Sequence, residues 1–177
     1  MSAGTVDVHA HILLPETMGA CGAAGPEMGV RDGVSYFRSG DYVLTHVPFA
    51  GSPFSDVPRR LALMDRMGID HQLLSPNPLT YFYTQPAAAC RAFCDAANET
   101  VAAIVARHPA RFSGLAQLPL QDPALAAQLL EQAVGRLGLK GSYIGSRIGD
   151  RDLSDPALDP VWAAHEALHV PVVVHPA

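Results

Sequence analysis

The segment Val6-Asp7-Val8-His9-Ala10-His11 places two imidazoles one residue apart in an apolar, β-branched run over residues 5–14. Side chains alternate along a strand, so His9 and His11 leave the same face, and Asp7 is expected to share it. Nitrogens so placed can both reach one ion at about 2.0–2.1 Å. An H-x-H pair alone is equally compatible with two partly exposed strand histidines. His175 adds a third imidazole: it ends the run over residues 170–175 and precedes Pro176. Both histidine groups fall at the C-terminal ends of strands, where α/β folds collect their chemistry, and a curled sheet would bring them to one mouth. Three neutral imidazoles form a catalytic Zn2+ centre with a position left open for water, and such a set also accepts Mn2+.

A rival motif lies close by. His165-Glu166-Ala167-Leu168-His169 matches H-E-x-x-H, and His175 stands where a metzincin protease would place its third ligand. That pattern needs glycine where this chain has Val172, and Pro171-Val172-Val173-Val174 reads instead as a strand leading His175 away from the helix. His165 and His169 are then a pair of partly exposed histidines on an outer helix. His46, His71 and His108 have no evident partner.

These histidines need a scaffold, and the chain offers a regular one. After the first strand, helical spacing covers residues 58–67 and is closed by Gly68, and a strand follows at 71–74. A long helix over 85–107 leads to a strand at 112–118. A helix over 122–137, opened by Asp122-Pro123, leads to a strand at 139–144, and another from Asp155-Pro156 to 168 leads to the strand at 170–175. This alternation is the signature of an α/β fold with right-handed crossovers and a mostly parallel sheet. Both open sheets and barrels share it. Residues 16–53 form the one long irregular stretch and read as a lid. Tyr81, Phe82 and Tyr83 follow the second strand, where packing of a βα loop explains them.

The hydrophobic content of 49% and charged content of 16% support a buried core in one domain of 177 residues, too few for a complete eight-stranded barrel of about 250. A net charge of −5 without a basic run argues against nucleic acid as a partner. No apolar stretch approaches the length of roughly 20 residues that spans a membrane, and no basic-then-apolar leader opens the chain, so the cytoplasm is expected. Three cysteines cannot all pair within the chain, and Cys90 and Cys94 are read as buried structural thiols.

Several segments together resemble a known family. They are residues 6–13, Arg111-Phe112-Ser113-Gly114-Leu115-Ala116-Gln117-Leu118-Pro119-Leu120-Gln121, Gly141-Ser142-Tyr143-Ile144-Gly145 and Val174-His175-Pro176. The resemblance is to the decarboxylase branch of the amidohydrolase superfamily, the group typified by 2-amino-3-carboxymuconate-6-semialdehyde decarboxylase. It implies a (β/α)8 TIM-barrel fold of which this chain holds the N-terminal five strands and four helices. It also implies metal ligation by His9, His11 and His175, and a substrate carboxylate held by an arginine of the first long loop, for which Arg38 is the candidate. The family's acid/base histidine and later aspartate ligand have no counterpart here, so a truncated product or fragment is expected. The implied activity is metal-dependent, non-oxidative decarboxylation of a small unsaturated or aromatic carboxylic acid. Hydrolysis of a lactone or amide on the same fold, or an inactive partial barrel, are the alternatives. Strands left without neighbours would favour a homo-oligomer.

Overall fold

The computed structural model describes residues 4–176. β1 (Val6–Ile12) is followed by a three-stranded meander, β2 (Glu27–Arg31), β3 (Val34–Ser39) and β4 (Tyr42–Thr45). Then come α1 (Val57–Met67), β5 (His71–Pro76), α2 (Ala87–Arg107), β6 (Phe112–Gly114), α3 (Pro123–Gly135) and β7 (Ser142–Gly145). A small hairpin of β8 (Arg147–Ile148) and β9 (Arg151–Asp152) precedes α4 (Asp159–Leu168) and β10 (Val172–His175). The α/β alternation read from the sequence is present.

Local chemistry sets the helix ends. Asp56 caps α1 by accepting from Arg59 N at 2.9 Å, Asp122 caps α3 by accepting from Leu125 N at 3.1 Å, and Gly68 ends α1 in the left-handed region. Asp155, expected to open the last helix, instead caps a short 3-10 turn over Pro156–Leu158, and α4 begins only at Asp159.

Residues 16–53 are not the irregular stretch expected from the sequence. They contain the antiparallel meander β2-β3-β4. Its first turn is Asp32-Gly33, both at positive φ, between the paired residues Arg31 and Val34. This two-residue turn matches the twist of a hairpin.

The larger strands run parallel. β1 pairs with β5, β5 with β6, and β7 with β10, while a single parallel bridge from Ala116 to Ser142 joins the two groups. The five strands thus lie side by side in chain order. Their outer face packs on the helices through Leu74, Phe112, Ile144, Phe93, Val101, Leu130 and Val161, all at most 2% exposed. Each such side chain contributes about 1.5–3 kcal/mol when removed from water. Cys21, Cys90 and Cys94 are buried free thiols within this layer. The inner face carries a separate apolar cluster of Tyr81, Leu115 and Tyr143, with Leu73, Tyr83 and Val173 packed against it. Among the described residues β1 and β10 form no ladder with each other, so the arc is open.

Candidate metal centre

β1 and β10 occupy opposite ends of this arc. In a flat sheet, four strand spacings of about 4.8 Å would hold them roughly 19 Å apart. Their C-terminal histidines nevertheless meet: ring centroids are 4.6 Å apart for His9 and His11, 5.4 Å for His9 and His175, and 5.1 Å for His11 and His175. Only a strongly curled sheet accomplishes that. One nitrogen from each ring lies within 4.8 Å of the other two, and His9 Nε2 is 2.8 Å from His11 Nε2. Neighbouring nitrogens on an ion at about 2.1 Å would be roughly 3.0–3.4 Å apart, a spacing that His9 and His11 already approach.

The protonation pattern suits a cation. His11 Nδ1 lies 3.0 Å from Ser75 Oγ, and His175 Nδ1 lies 2.6 Å from the Pro176 carbonyl. An N–H donated from each Nδ1 leaves each Nε2 with its lone pair facing inward. Burial, followed by the proximity of His9 and His175, pushes His11 down to about 4, so its ring is neutral at pH 7. A donor set of three clustered imidazoles, one of them held neutral, therefore fits a divalent ion.

Asp7 does not join them. Three steps along β1, from Asp7 to Ala10, oppose two steps along β5, from Gln72 to Leu74. This extra residue turns Asp7 to the same side as Gln72 and Leu74, against the helices. There the carboxylate accepts from Gln72 Nε2 at 2.9 Å and from the His9 backbone N–H at 3.0 Å. Arg60 of α1 completes the chain, with Nη1 donating to Gln72 Oε1 at 3.0 Å and Nη2 to the His11 carbonyl at 2.5 Å. The backbone of each β1 histidine is thus tied to one end of a buried polar network. Arg60 is 6% exposed, and burial holds its guanidinium down to about 10 despite the favourable field of Asp7.

Tyrosines line the inner side. The Tyr143 hydroxyl is 3.3 Å from His11 Nε2, and its ring lies 5.3 Å from His11 and 5.5 Å from His175. Tyr81 stacks on both Tyr143 and Tyr83, and the Tyr83 hydroxyl accepts from Gly145 N at 3.2 Å. Burial pushes Tyr143 up to about 12. A cavity of about 490 Å³ opens beside His9 and His11, lined by Phe54, Arg60 and Met64 among others.

The structure brings His9, His11 and His175 together and places Arg38 elsewhere. Arg38 lies on β3, where Nε and Nη2 donate to the two Glu27 carboxylate oxygens at 3.2 and 2.6 Å and Nη1 donates to the Gly40 carbonyl at 2.9 Å. The fork expected to grip a substrate carboxylate is engaged by Glu27. The cavity that Arg38 lines contains none of the three clustered histidines.

The H-E-x-x-H reading does not hold. His165 is buried, contrary to its expected partial exposure, with Nδ1 donating to the Val161 carbonyl at 2.7 Å and Nε2 accepting from Ser142 Oγ at 2.8 Å. His169 ends α4 in the left-handed region, and His175 belongs to the other cluster. His71 bonds Ser113 Oγ and the Ala110 carbonyl. Sequence reading missed Ser75, Tyr143 and the Arg60–Gln72 link. Of these, Arg60 left a trace, lying four residues before Met64 on the buried face of α1.

A family model described as amidohydrolase matches residues 6–177. Gamma-resorcylate decarboxylase of Polaromonas sp. (strain JS666 / ATCC BAA-500) is 36% identical over 124 residues, covering 67% of this chain and 38% of that protein. 2-Amino-3-carboxymuconate-6-semialdehyde decarboxylase of Dictyostelium discoideum is 32% identical over 117 residues, 66% of this chain and 33% of its own length. The crystal structure of dihydroxybenzoic acid decarboxylase from Polaromonas sp. JS666, with bound manganese and the inhibitor 2-nitroresorcinol, matches with a TM-score of 0.75 and 29% identity. That match covers 98% of this chain and 49% of the other. The chain therefore spans between a third and two fifths of the curated relatives it matches.

Proposed function

The chain belongs to the amidohydrolase family, and from that premise we propose that it carries the metal-binding part of a non-oxidative decarboxylase acting on a small aromatic or unsaturated carboxylic acid. In this reading the five parallel strands are the first five of a (β/α)8 barrel, and association of chains covers the unpaired edges of β1 and β10. The observation that carries the proposal is the meeting of His9, His11 and His175 from the two ends of the arc.

His9, His11 and His175 would hold a divalent ion, Mn2+ or Zn2+. When bound, the ion supplies fixed positive charge for a substrate's anionic oxygens. Ser75 and the Pro176 carbonyl keep two of the rings turned with Nε2 inward, and the Arg60 network fixes the strand that presents the other side of the set. The wall of Tyr81, Leu115, Tyr143 and Val173 gives a flat, water-poor surface suited to an unsaturated ring. Arg38 has no part in this reading, since Glu27 fills its fork. The names of the relatives favour decarboxylation over hydrolysis. No described helix is long and apolar enough to cross a membrane.

Calorimetric titration with Mn2+ and with Zn2+ tests the proposal. One equivalent of ion is expected to bind, with His9→Ala, His11→Ala and His175→Ala each weakening binding by more than about 100-fold, beyond the effect usual for outer-shell changes. Binding unchanged in His175→Ala would refute it.

A further inference from the structure

The Nε2 atom of His11 has one lone pair and two claimants. Tyr143 O–H reaches it at 3.3 Å, and the same nitrogen is the one turned toward His9 Nε2, where the ion of the proposed centre would sit. When that lone pair is given to an ion, the Tyr143 hydroxyl loses its acceptor. Tyr143 is only 2% exposed and its ring is held by the Tyr81 stack, so the freed donor cannot simply turn to bulk water. A buried donor without a partner is costly, which makes the site select for whatever supplies an acceptor there.

We propose that Tyr143 is a specificity-determining residue whose hydroxyl donates to an anionic oxygen of the ligand at the His9–His11–His175 centre, a carboxylate or phenolate oxygen of an arene acid. This inference rests on the metal-centre reading. Its chemistry is distinct from that of the ligands, since Tyr143 holds no metal and moves no proton. It grips the oxygen that the charge attracts and gives a ligand lacking such an oxygen no compensation for the stranded hydroxyl.

The test uses the Mn2+-loaded chain with two probes, benzoate for the carboxylate and 2-nitroresorcinol for the phenolate, and the variants Tyr143→Phe and Tyr42→Phe. Tyr143→Phe keeps the ring and the stack and removes only the oxygen. It is expected to keep Mn2+ affinity within about threefold while losing about tenfold in affinity for at least one probe, the size of one buried hydrogen bond. The probe that loses affinity identifies which oxygen Tyr143 holds. Tyr42→Phe removes an exposed hydroxyl from β4, outside the tyrosine wall and the histidine cluster, and it should leave both probe affinities within about twofold. Equal probe affinities in wild type and Tyr143→Phe overturn the inference, as does an equal loss in both variants or the absence of Mn2+-dependent probe binding to the wild type. A wild-type chain that takes up no Mn2+ removes the metal centre itself and the inference with it.

Discussion

Replacing Arg60 with methionine separates the two jobs of the buried network. Methionine matches the length of the arginine stem and fills much of its volume, so packing changes little. The substitution deletes the donors to the His11 carbonyl and to Gln72 Oε1. Hydrogen bonds from a charged group contribute about 1.5–3 kcal/mol each, for a gross loss of about 3–6 kcal/mol. Against this, burial holds the guanidinium down to about 10, well below its ordinary value, a solvation cost of about 3 kcal/mol that the variant no longer bears. The net loss of stability is therefore modest, about 0–3 kcal/mol. The effect on the centre is larger in proportion, because the His11 carbonyl and, through Gln72 and Asp7, the His9 backbone N–H lose their anchors. Outer-shell anchors of this kind are worth about 10–100-fold in ion affinity. Urea unfolding of the metal-free protein gives the first quantity and Mn2+ titration the second. A variant that loses the expected stability but binds Mn2+ within about twofold of wild type would show that the network holds the fold and does not position the ligands.

Two further outcomes follow from the packing and from a buried imidazole. Gly114 lies under α2, where an added Cβ would overlap Val101 Cγ1 and press to 3.0 Å from Leu139 Cδ2, so Gly114→Ala should cost about 1–3 kcal/mol and lower the thermal midpoint by about 3–9 °C; an unchanged midpoint would mean that α2 can shift off β6 at no cost. His165 is held below its ordinary value of 6.5 by burial, so below about pH 6.5 the unfolded chain binds more protons than the folded one and stability falls, whereas above that pH the group contributes no slope. Urea midpoints at pH 7.5 and 5.0 should therefore differ less in His165→Gln than in wild type, and an identical acid loss in both proteins would assign the slope to other groups.

The strand-end histidines were legible because parallel α/β architecture constrains where strand ends go: once alternation was read, His175 had to lie near the mouth that β1 also reaches if the sheet curled. The side taken by Asp7 was not legible, since an extra residue in one strand leaves no mark in composition or spacing. The meander over residues 27–45 was missed although Asp32-Gly33 is a hairpin signal, because its strands are too short and too polar to stand out by alternation. Arg38 read as a free fork because its partner, Glu27, is eleven residues away and is brought to it only by the β2–β3 register. His165 read as partly exposed because α4 buries it against Ser142, a contact between elements that helical spacing alone does not reveal.

The additional residue in β1 also controls how many ligands the string D-x-H-x-H delivers. With it, the strand presents two imidazole nitrogens inward and keeps its carboxylate for the helices. Ironing the pleat flat would swing Asp7 round beside the imidazoles, adding a carboxylate oxygen to an all-nitrogen set and shifting its preference toward harder ions. Two proteins with the same five letters can thus hold different ions, and the difference would lie in one backbone irregularity that no comparison of the letters detects.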